Sequence, residues 1–376
     1  MIKILAIQLD MLGSKAFSLR VREYFKNSDK YALYSKWFHE DRGLIGRAAH
    51  FLIAWQFPVN AISKRHLDLR RTRVEWVYSW VAGRLVNREV KKCSYDILYF
   101  HTQTVSYGAI KHMKKIPSIL SIDMTLKQSA REPQKKQHVK WTYSLSYKME
   151  QRSFDNAKHI VAISNWARQS LIQEYGLPEQ KITVIPPGLN LENFPIVEKQ
   201  RDNNNLVQIL FVGGDFIRKG GDLLLEVFIE YFSEKAILHL VTNEKLRVNH
   251  ENIIIHPDIH ADTPEWHALY AMSDFFVLPT RFDAFGLVFA EAMAYSLPVI
   301  GTNVGAIPEI IKNGFNGFLI PPDNKKMLHE SMKKLVIDSA LRIAMGRNAR
   351  KTAEEKYDMK VNLRQLEEIM EKVTLK

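Results

Sequence analysis

The chain has 376 residues, too many for one ordinary hydrophobic core and about right for two domains. Hydrophobic residues make up 46% and charged residues 25%, which excludes a largely disordered or low-complexity chain. The net charge of +12 is concentrated in residues 1–190, where 31 Lys and Arg face 15 Asp and Glu. Such a field attracts nucleic acid, anionic lipid and acidic substrates alike, so it excludes none of them.

The first half of the chain repeats a strand-turn-helix pattern. A β-branched apolar run at residues 2–9 precedes a glycine-containing turn and a helical pattern over residues 17–25. Further strands are predicted at residues 96–100, 118–122 and 159–163. Short apolar strands that alternate with helices predict a parallel sheet covered by helices on both faces.

The pattern changes at KITVIPPGLNLENF, residues 181–194, where two prolines and a glycine end a strand, and it restarts with a predicted strand at residues 207–212. Further strands follow at residues 253–256, 275–279 and 299–301. We predict an N-terminal domain over 1–187, a linker over 188–205, a C-terminal domain over 206–355, and a last helix over 356–376 that can pack back on the N-terminal domain. The predicted fold class is α/β, with two Rossmann-like doubly wound domains facing across a ligand-binding cleft.

The segment FVGGDFIRKGGDLLLEVF, residues 211–228, has the features of a diphosphate site. A strand runs into a glycine-rich turn, Arg218 and Lys219 follow, and a helix begins near Asp222. Glycines let backbone amides approach a phosphate, and the helix N-terminus and both cations attract its charge. An ordinary turn with solvated cations would use the same residues, and the segment is not a Walker loop.

The segment PTRFDAFGLVFAEAMAYSLPVIGTNVGAIPEII, residues 279–311, places Asp283 in a loop and Glu291 eight positions later. If much of that interval is helical, the two carboxylates lie about 12 Å apart along the axis. This span is comparable with the reach from ribose to hexose in a sugar nucleotide. Gly286 between them would let helix-terminal amides meet the phosphates. Taken alone, such a pair is more often a solvated acid and an acid on a helix face.

Asp283-x7-Glu291 within FGLVFAEAMAYSLPVIGTNVGAIPEII resembles the E-x7-E signature of glycosyltransferase family 4, and FVGGDFIRKGG stands in the place of that family's phosphate-binding segment. Residues 154–194 also look like the family's stretch before the interdomain linker. The resemblance covers residues 94–325 and is weak over 15–93. It implies a GT-B fold and a metal-independent, retaining transfer of a hexose-type sugar from a UDP- or GDP-sugar to a glycan or lipid-linked acceptor.

The resemblance also implies roles for individual residues. Arg218 and Lys219 would hold the donor diphosphate, Glu291 the ribose hydroxyls and Asp283 the transferred sugar. His101 falls where the family has a histidine facing the sugar, although a lone histidine after a strand is more often a packed residue. The remaining donor contacts would come from Gly13, Gly214, Phe285, Gly286 and Leu287.

Two departures from the family pattern affect this assignment. Asp283 stands where Glu is more usual, which shortens the reach of the carboxylate by one methylene. Gly214 stands where an arginine commonly follows the strand glycine, so Arg218 either replaces that arginine or leaves its role unfilled.

Other functions are weighed by the motifs that they require. No H-E-x-x-H, Cys/His cluster or D-x-D is present, so we predict no metal and no cofactor besides the nucleotide-sugar co-substrate. A sugar-nucleotide epimerase and a degenerate homologue that only binds the sugar nucleotide both remain open on the same scaffold. A nucleic-acid-binding protein is disfavoured, because no helix-turn-helix, zinc-finger or aromatic RNA platform accompanies the charge.

Residues 64–92 combine six arginines with Trp76 and Trp80 at helical spacing. Such a helix either lies on an anionic membrane surface or buries its aromatic stripe in the core. The first ten residues lack the features of a secretory signal, and no run approaches the roughly 20 apolar residues of a membrane span. We therefore expect a cytoplasmic protein that contacts the inner face of the membrane peripherally or not at all. The single cysteine, Cys93, fits a reduced compartment.

Overall fold

The computed structural model describes residues 1–9, 14–26, 28–37, 62, 65–135, 137–196 and 206–375. They form two compact units, one of Met1–Pro186 with Lys360–Lys376 and the other of Pro187–Met359. The predicted linker lies partly, and Gly13 wholly, outside the described residues.

The first unit is built on a parallel six-stranded sheet in the order β2-β1-β3-β4-β5-β6. Its strands are β1 Ile2–Gln8, β2 Tyr31–Trp37, β3 Ile97–His101, β4 Ser118–Ile122, β5 His159–Ala162 and β6 Ile182–Val184. Its helices are α1 Ser14–Lys26, α2 Arg70–Lys92, α3 Ile110–Met113, α4 Leu126–Ser129, α5 Ser144–Asn156 and α6 Asn165–Gln173, with 3-10 turns at Gln103–Ala109, Pro133–Lys135, Lys140–Tyr143 and Glu179–Lys181. In this strand order the direction of winding reverses between β1 and β3, so a ligand is expected beyond their carboxyl ends.

The second unit is built on a parallel six-stranded sheet in the order β12-β11-β10-β7-β8-β9. Its strands are β7 Val207–Val212, β8 Ala236–Val241, β9 Ile253–His256, β10 Phe275–Leu278, β11 Val299–Thr302 and β12 Gly317–Ile320. Its helices are α7 Gly221–Tyr231, α8 Pro264–Met272, α9 Leu287–Ala294, α10 Ile307–Ile310, α11 Lys325–Ile337 and α12 Ser339–Lys356, with a 3-10 turn at Leu191–Asn193. This is the strand order of dinucleotide-binding folds, and its switch point lies between β7 and β10.

The last helix, α13 Met359–Thr374, joins the first unit from Lys360 onward. Its apolar stripe, which includes Leu366 and Met370, is buried. The Tyr24 hydroxyl donates to Glu367 Oε2 over 3.3 Å, and Asn362 Nδ2 donates to the carbonyl of Pro186 over 3.1 Å. An amphipathic helix of this kind is stabilised mainly by burying its apolar face, so α13 needs the first unit as a support.

The short apolar runs build the core of each unit. In the first unit, α2 buries Val81, Leu85 and Val86 against the same cluster as Leu98 and Phe100 of β3. Full burial on both faces explains why these strands have no alternation of polar residues. The structure also contains β2, β8 and β12, which the sequence pattern did not predict. Helix α9 begins at Leu287, the last of the three residues, 285–287, around which its start was expected.

Candidate donor site and its relatives

The turn after β7, residues 213–220, meets the end of β10 at the switch point of the second sheet. Gly220 has a φ of 75°, and a Cβ built on it would lie 2.1 Å from the carbonyl oxygen of Pro279. Glycine is required there because no side chain fits between the two backbones. This close approach places the cation-bearing turn beside the loop that carries Asp283.

Lys219 and Asp283 form an ion pair between these two loops. Lys219 Nζ lies 2.5 Å from Asp283 Oδ2, and both side chains are 15% exposed. A largely buried pair of opposite charges is strengthened by the low local dielectric, provided that both partners stay in place. Two of the predicted site residues are thus brought into direct contact.

Arg218 joins the same two loops but is already committed to protein partners. Its Nε donates to Asp215 Oδ2 over 2.9 Å, and its Nη1 donates to the carbonyl of Phe282 over 2.9 Å. These bonds fix the geometry of the two loops, and the assignment of Arg218 to the diphosphate stays a prediction. Both cations thus contact protein partners at this sheet edge.

Arg281 is a site residue that sequence reasoning missed. Its guanidinium donates to both carboxylate oxygens of Asp222, over 2.6 and 3.0 Å, and to Asp323 Oδ1 over 2.7 Å. It also donates to the carbonyl of Ile217, and its own backbone N–H donates to the carbonyl of Arg218 over 2.8 Å. These bonds hold the loop after β10 against the turn after β7. Arg281 and Asp222 are both charged, but they are 59 positions apart in the sequence, and no motif indicates that they pair.

The N-terminus of α9 faces the same edge of the sheet. Gly286 precedes the helix with a φ of 83°, and Leu287 is its first residue. Phe285 is 6% exposed and packs edge-on against Tyr357, with ring centroids 6.1 Å apart. The first N–H groups of a helix have no partner within it, so a helix N-terminus can donate to a phosphate or a sugar oxygen.

Glu291 lies in the second turn of α9, about 6 Å along the axis from Leu287. Its carboxylate is 6% exposed in a helix that is otherwise apolar. Burial, together with the Glu291 charge, raises the pKa of Tyr270 well above its ordinary value. The sequence-based estimate of about 12 Å between the two carboxylates assumed that much of the interval from Asp283 to Glu291 is helical. In the structure only Leu287 to Glu291, about half of that interval, is helical. The Asp283 carboxylate contacts Lys219, and the Glu291 carboxylate interacts with Tyr270 of α8.

Gly214 stands in open space. A Cβ built on it would meet no atom within 4 Å, and its φ is not in the region that glycine alone tolerates. Glycine is therefore not required at this position by packing. The position has room for the arginine that the family pattern commonly has.

In the first unit, His101 ends β3, next to the switch point of its sheet. Its side chain is half-buried, and burial lowers its pKa to about 4, so the imidazole is neutral at neutral pH. Thr102 follows with a φ of 83° and a ψ of 144°. A non-glycine residue in such a conformation costs about 1–3 kcal/mol and persists only where its surroundings hold it.

The described residues contain no group of three or more His, Cys, Asp or Glu side chains arranged to hold a metal ion. None of the helices in the described ranges is both long and apolar enough to cross a bilayer.

Comparison with known proteins assigns the family. The model for glycosyltransferase family 4 matches residues 47–193, and the model for glycosyl transferases group 1 matches residues 192–352. The chain belongs to glycosyltransferase family 4. Together the two models cover most of both units and meet at residues 192–193.

Individual relatives agree with this assignment. The chain is 31% identical over 249 residues to the capsular polysaccharide biosynthesis glycosyltransferase CapM of Staphylococcus aureus, a match covering 60% of this chain and 64% of that protein. The match therefore spans less than two thirds of that relative's length. These comparisons lend no support to the epimerase alternative.

Solved structures share the fold. A glycosyltransferase from Rickettsia africae superposes with a TM-score of 0.71 at 20% identity, covering 100% of this chain and 99% of that one. Anabaena HepE in complex with UDP and glucose gives a TM-score of 0.70 at 15% identity, covering 99% and 100% of the two chains. The two Rossmann-like units of this family 4 glycosyltransferase thus have the GT-B fold.

Proposed function

We propose that this family 4 glycosyltransferase moves a hexose-type sugar from a UDP- or GDP-sugar to a glycan or glycolipid acceptor, with retention of configuration and without a metal ion. The observation that carries the proposal is the Lys219–Asp283 pair at the switch point of the second sheet, beside the N-terminus of α9. The Anabaena structure that shares this fold was solved with UDP and glucose. A cation, helix amides and two acids at one sheet edge suit the phosphates and hydroxyls of such a donor.

The proposed chemistry follows from where charge develops. As the bond from the sugar to the diphosphate breaks, negative charge grows on the leaving phosphate and positive charge grows on the sugar ring. Lys219 and the amides of Gly286 and Leu287 stabilise the negative charge, and the Asp283 carboxylate, which pairs with Lys219, holds the transferred sugar. Fixed charges that favour the transition state over the ground state increase the rate rather than merely the affinity.

Lys219→Ala is the direct test. It removes the ammonium and leaves Asp283 without its ion-pair partner, so transfer should fall by about a hundredfold and the affinity for the nucleoside diphosphate by about tenfold. Lys333→Ala, which removes an exposed lysine of α11, is the matched control and should change neither. Wild-type turnover in the Lys219 variant would refute the role assigned to Lys219.

The base of the donor is found by thermal unfolding with UDP, GDP and ADP. The ligand that binds best raises the unfolding temperature most, because stabilisation grows with the logarithm of ligand concentration over dissociation constant. Equal shifts for all three would show that the site does not select the base.

We further propose that the first unit docks on an anionic membrane to reach a lipid-linked acceptor. The sequence left open whether the tryptophans of α2 are buried, and in the structure Trp76 is 65% and Trp80 46% exposed. Nearby, Trp141 is 61% and Leu145 52% exposed, next to residues that bond to Thr72 of α2. These three tryptophans and Leu145 together form an exposed surface, the aromatic face.

The exposed charges of α2 are all of one sign. The two acids of α2, Glu75 and Glu89, are only 5% and 4% exposed, so its exposed charges are basic. The Arg84 guanidinium lies 5.0 Å from the centroid of the Trp80 ring. Aromatic side chains ringed by arginine and lysine are typical of helices that lie in the interface of anionic bilayers.

Vesicle flotation tests the docking surface. The wild type should float with vesicles of phosphatidylglycerol and phosphatidylcholine, less so with added salt, and hardly at all with phosphatidylcholine alone. Replacing Trp76 and Trp80 together by Ser should abolish flotation, whereas Ile337→Ser, which changes an exposed apolar residue of the second unit, should not. Flotation that salt and the tryptophan variant leave unchanged would contradict the proposal.

A further inference from the structure

The residue after the candidate catalytic histidine has a conformation that it does not prefer. Thr102 has a φ of 83°, in a region where glycine is the ordinary residue. Its N–H donates to the carbonyl of Ser121 on β4 over 2.9 Å, and its Oγ1 accepts from the N–H of Thr104 over 3.3 Å. The backbone therefore turns sharply where His101 leaves β3.

A buried hydrogen-bond network lies directly behind this turn. Gln103 is 6% exposed, and its Nε2 donates to Glu150 Oε1 over 2.9 Å and to the carbonyl of Met124 over 3.0 Å. Glu150, on α5, is fully buried. The same carboxylate accepts from the N–H of Leu126 over 2.9 Å and from the hydroxyl of Tyr175.

The network ties the ends of two neighbouring strands to one carboxylate. Gln103 lies two residues beyond β3, and Leu126 lies four residues beyond β4. All three groups that contact Glu150 are hydrogen-bond donors, which suits an ionised carboxylate, although burial raises the pKa of Glu150 to about 7. A buried acid with donors on both oxygens fixes the atoms around it, because any displaced donor would lose its partner.

We propose that Gln103 and Glu150 are positioning residues, which hold Thr102 in its positive-φ conformation and thereby set the orientation of His101. The inference rests on the proposed function, in which His101 faces the transferred sugar. A glycine at position 102 would adopt the same backbone conformation without help. The threonine needs a rigid support on its C-terminal side, and the Gln103–Glu150 hydrogen bond supplies it.

The support can be removed without a large change in side-chain volume. Glu150→Met deletes the acceptor for Gln103 and Leu126, while Glu150→Gln keeps an acceptor oxygen in the same place. Gln103→Met breaks the same bond from its other end and serves if the Glu150→Met protein does not fold. Asp155→Met makes a matched change on the exposed side of α5.

The first readout is the titration of His101 followed by NMR of its imidazole. Its pKa of about 4 reflects burial, so in Glu150→Met we expect it to rise by about one unit or more as the ring becomes solvated. Removing a carboxylate can only lower the pKa of a histidine by electrostatics, so a rise reports movement of the ring. Glu150→Gln and Asp155→Met should keep the wild-type value.

The second readout is donor hydrolysis, with UDP-glucose and GDP-mannose as probes. For whichever donor the wild type turns over, Glu150→Met should lower kcat by about tenfold to a hundredfold. Its KM should stay within about twofold, because the donor is held by the second unit. Adding Thr102→Gly to Glu150→Met should restore the His101 pKa and much of kcat, since glycine needs no support.

The outcomes separate this inference from the proposed function. An unchanged His101 pKa in both Glu150→Met and Gln103→Met would overturn the positioning role, as would failure of Thr102→Gly to restore it. If instead the wild type hydrolyses neither donor while the His101 titrations behave as expected, the positioning stands and the proposed function loses its support.

Discussion

Replacing Arg281 by Met removes the guanidinium that joins the two donor loops and keeps most of the apolar length of the side chain. The main losses are the paired hydrogen bonds to Asp222 and the single bond to Asp323. A charge-assisted hydrogen bond contributes about 1.5–3 kcal/mol when shielded. Asp222 and Asp323 are 39% and 60% exposed, so solvent screening reduces these values. We expect the free energy of unfolding to fall by about 1–2 kcal/mol.

The effect on binding should exceed the effect on stability. Arg281 holds the loop of Asp283 against the turn of Lys219, and a shift of about 1 Å between such loops misplaces both charges relative to a diphosphate. We expect the dissociation constant for the preferred nucleoside diphosphate to rise by about tenfold, or about 1.4 kcal/mol. Isothermal titration calorimetry measures the affinity, and thermal unfolding of the same samples measures the stability.

Arg342→Met is the control, because Arg342 also lies in the second unit and bonds to backbone carbonyls away from the loops. Its Nη1 donates to Leu335 over 2.6 Å and to Val336 over 3.1 Å. This variant should lose comparable stability and keep its nucleotide affinity. Equal affinities in the Arg281 and Arg342 variants would refute the reasoning, since Arg281 would then support the fold without setting the site.

Three further changes test other features. Gly214→Arg should fold normally, since no atom lies within 4 Å of its Cβ position, and should tighten nucleoside-diphosphate binding by about threefold to tenfold in calorimetry; unchanged affinity would show that the arginine of the family pattern has no counterpart here. Gly305→Ala should weaken that binding and lower the unfolding temperature, because its Cβ would lie 1.8 Å from the carbonyl oxygen of Asp283; a normal loop would contradict this. Burial and His256 lower the pKa of His239 to about 4, so between pH 6.5 and 4 the unfolded chain binds a proton at this histidine that the folded chain does not. The free energy of unfolding should therefore fall by up to about 3 kcal/mol as the pH drops from 6.5 to 4. Chemical unfolding between pH 4 and 7 should therefore show a flatter pH dependence for His239→Gln than for the wild type.

Several of the predicted strands are apolar runs long enough to be distinguished from neighbouring helices. Residues 2–9, 118–122 and 207–212 are such runs, and all three are strands in the structure. The missed strands carry weaker signals. β2 lies at the sheet edge and contains Ser35 and Lys36, β8 has His239 in its centre, and β12 is a four-residue strand that begins with glycine. Burial by tertiary contacts determines these strands more than their local composition does.

The site residues, like the strands, include some with a clear local sequence signal and some without one. Lys219, Asp283 and Gly286 stand in short motifs with fixed spacing, and the structure places them in adjoining loops at one sheet edge. Arg218 belongs to the same motif, and in the structure it also bonds to Asp215 and to the carbonyl of Phe282. The sequence shows that a cation is present, but only the fold shows that a backbone carbonyl 64 positions away occupies it.

Residues that hold a site in shape are harder to predict than residues that touch a ligand. Arg281 and Asp222 are 59 positions apart, and Gln103 and Glu150 are 47 apart. A phosphate or a sugar imposes a local pattern on the chain, because several contacts must come from one turn. A supporting residue has no such constraint, since any element packed behind the turn can supply the partner. The Gln103–Glu150 hydrogen bond is the clearest case, because the conformation that it supports at Thr102 becomes visible only in backbone angles.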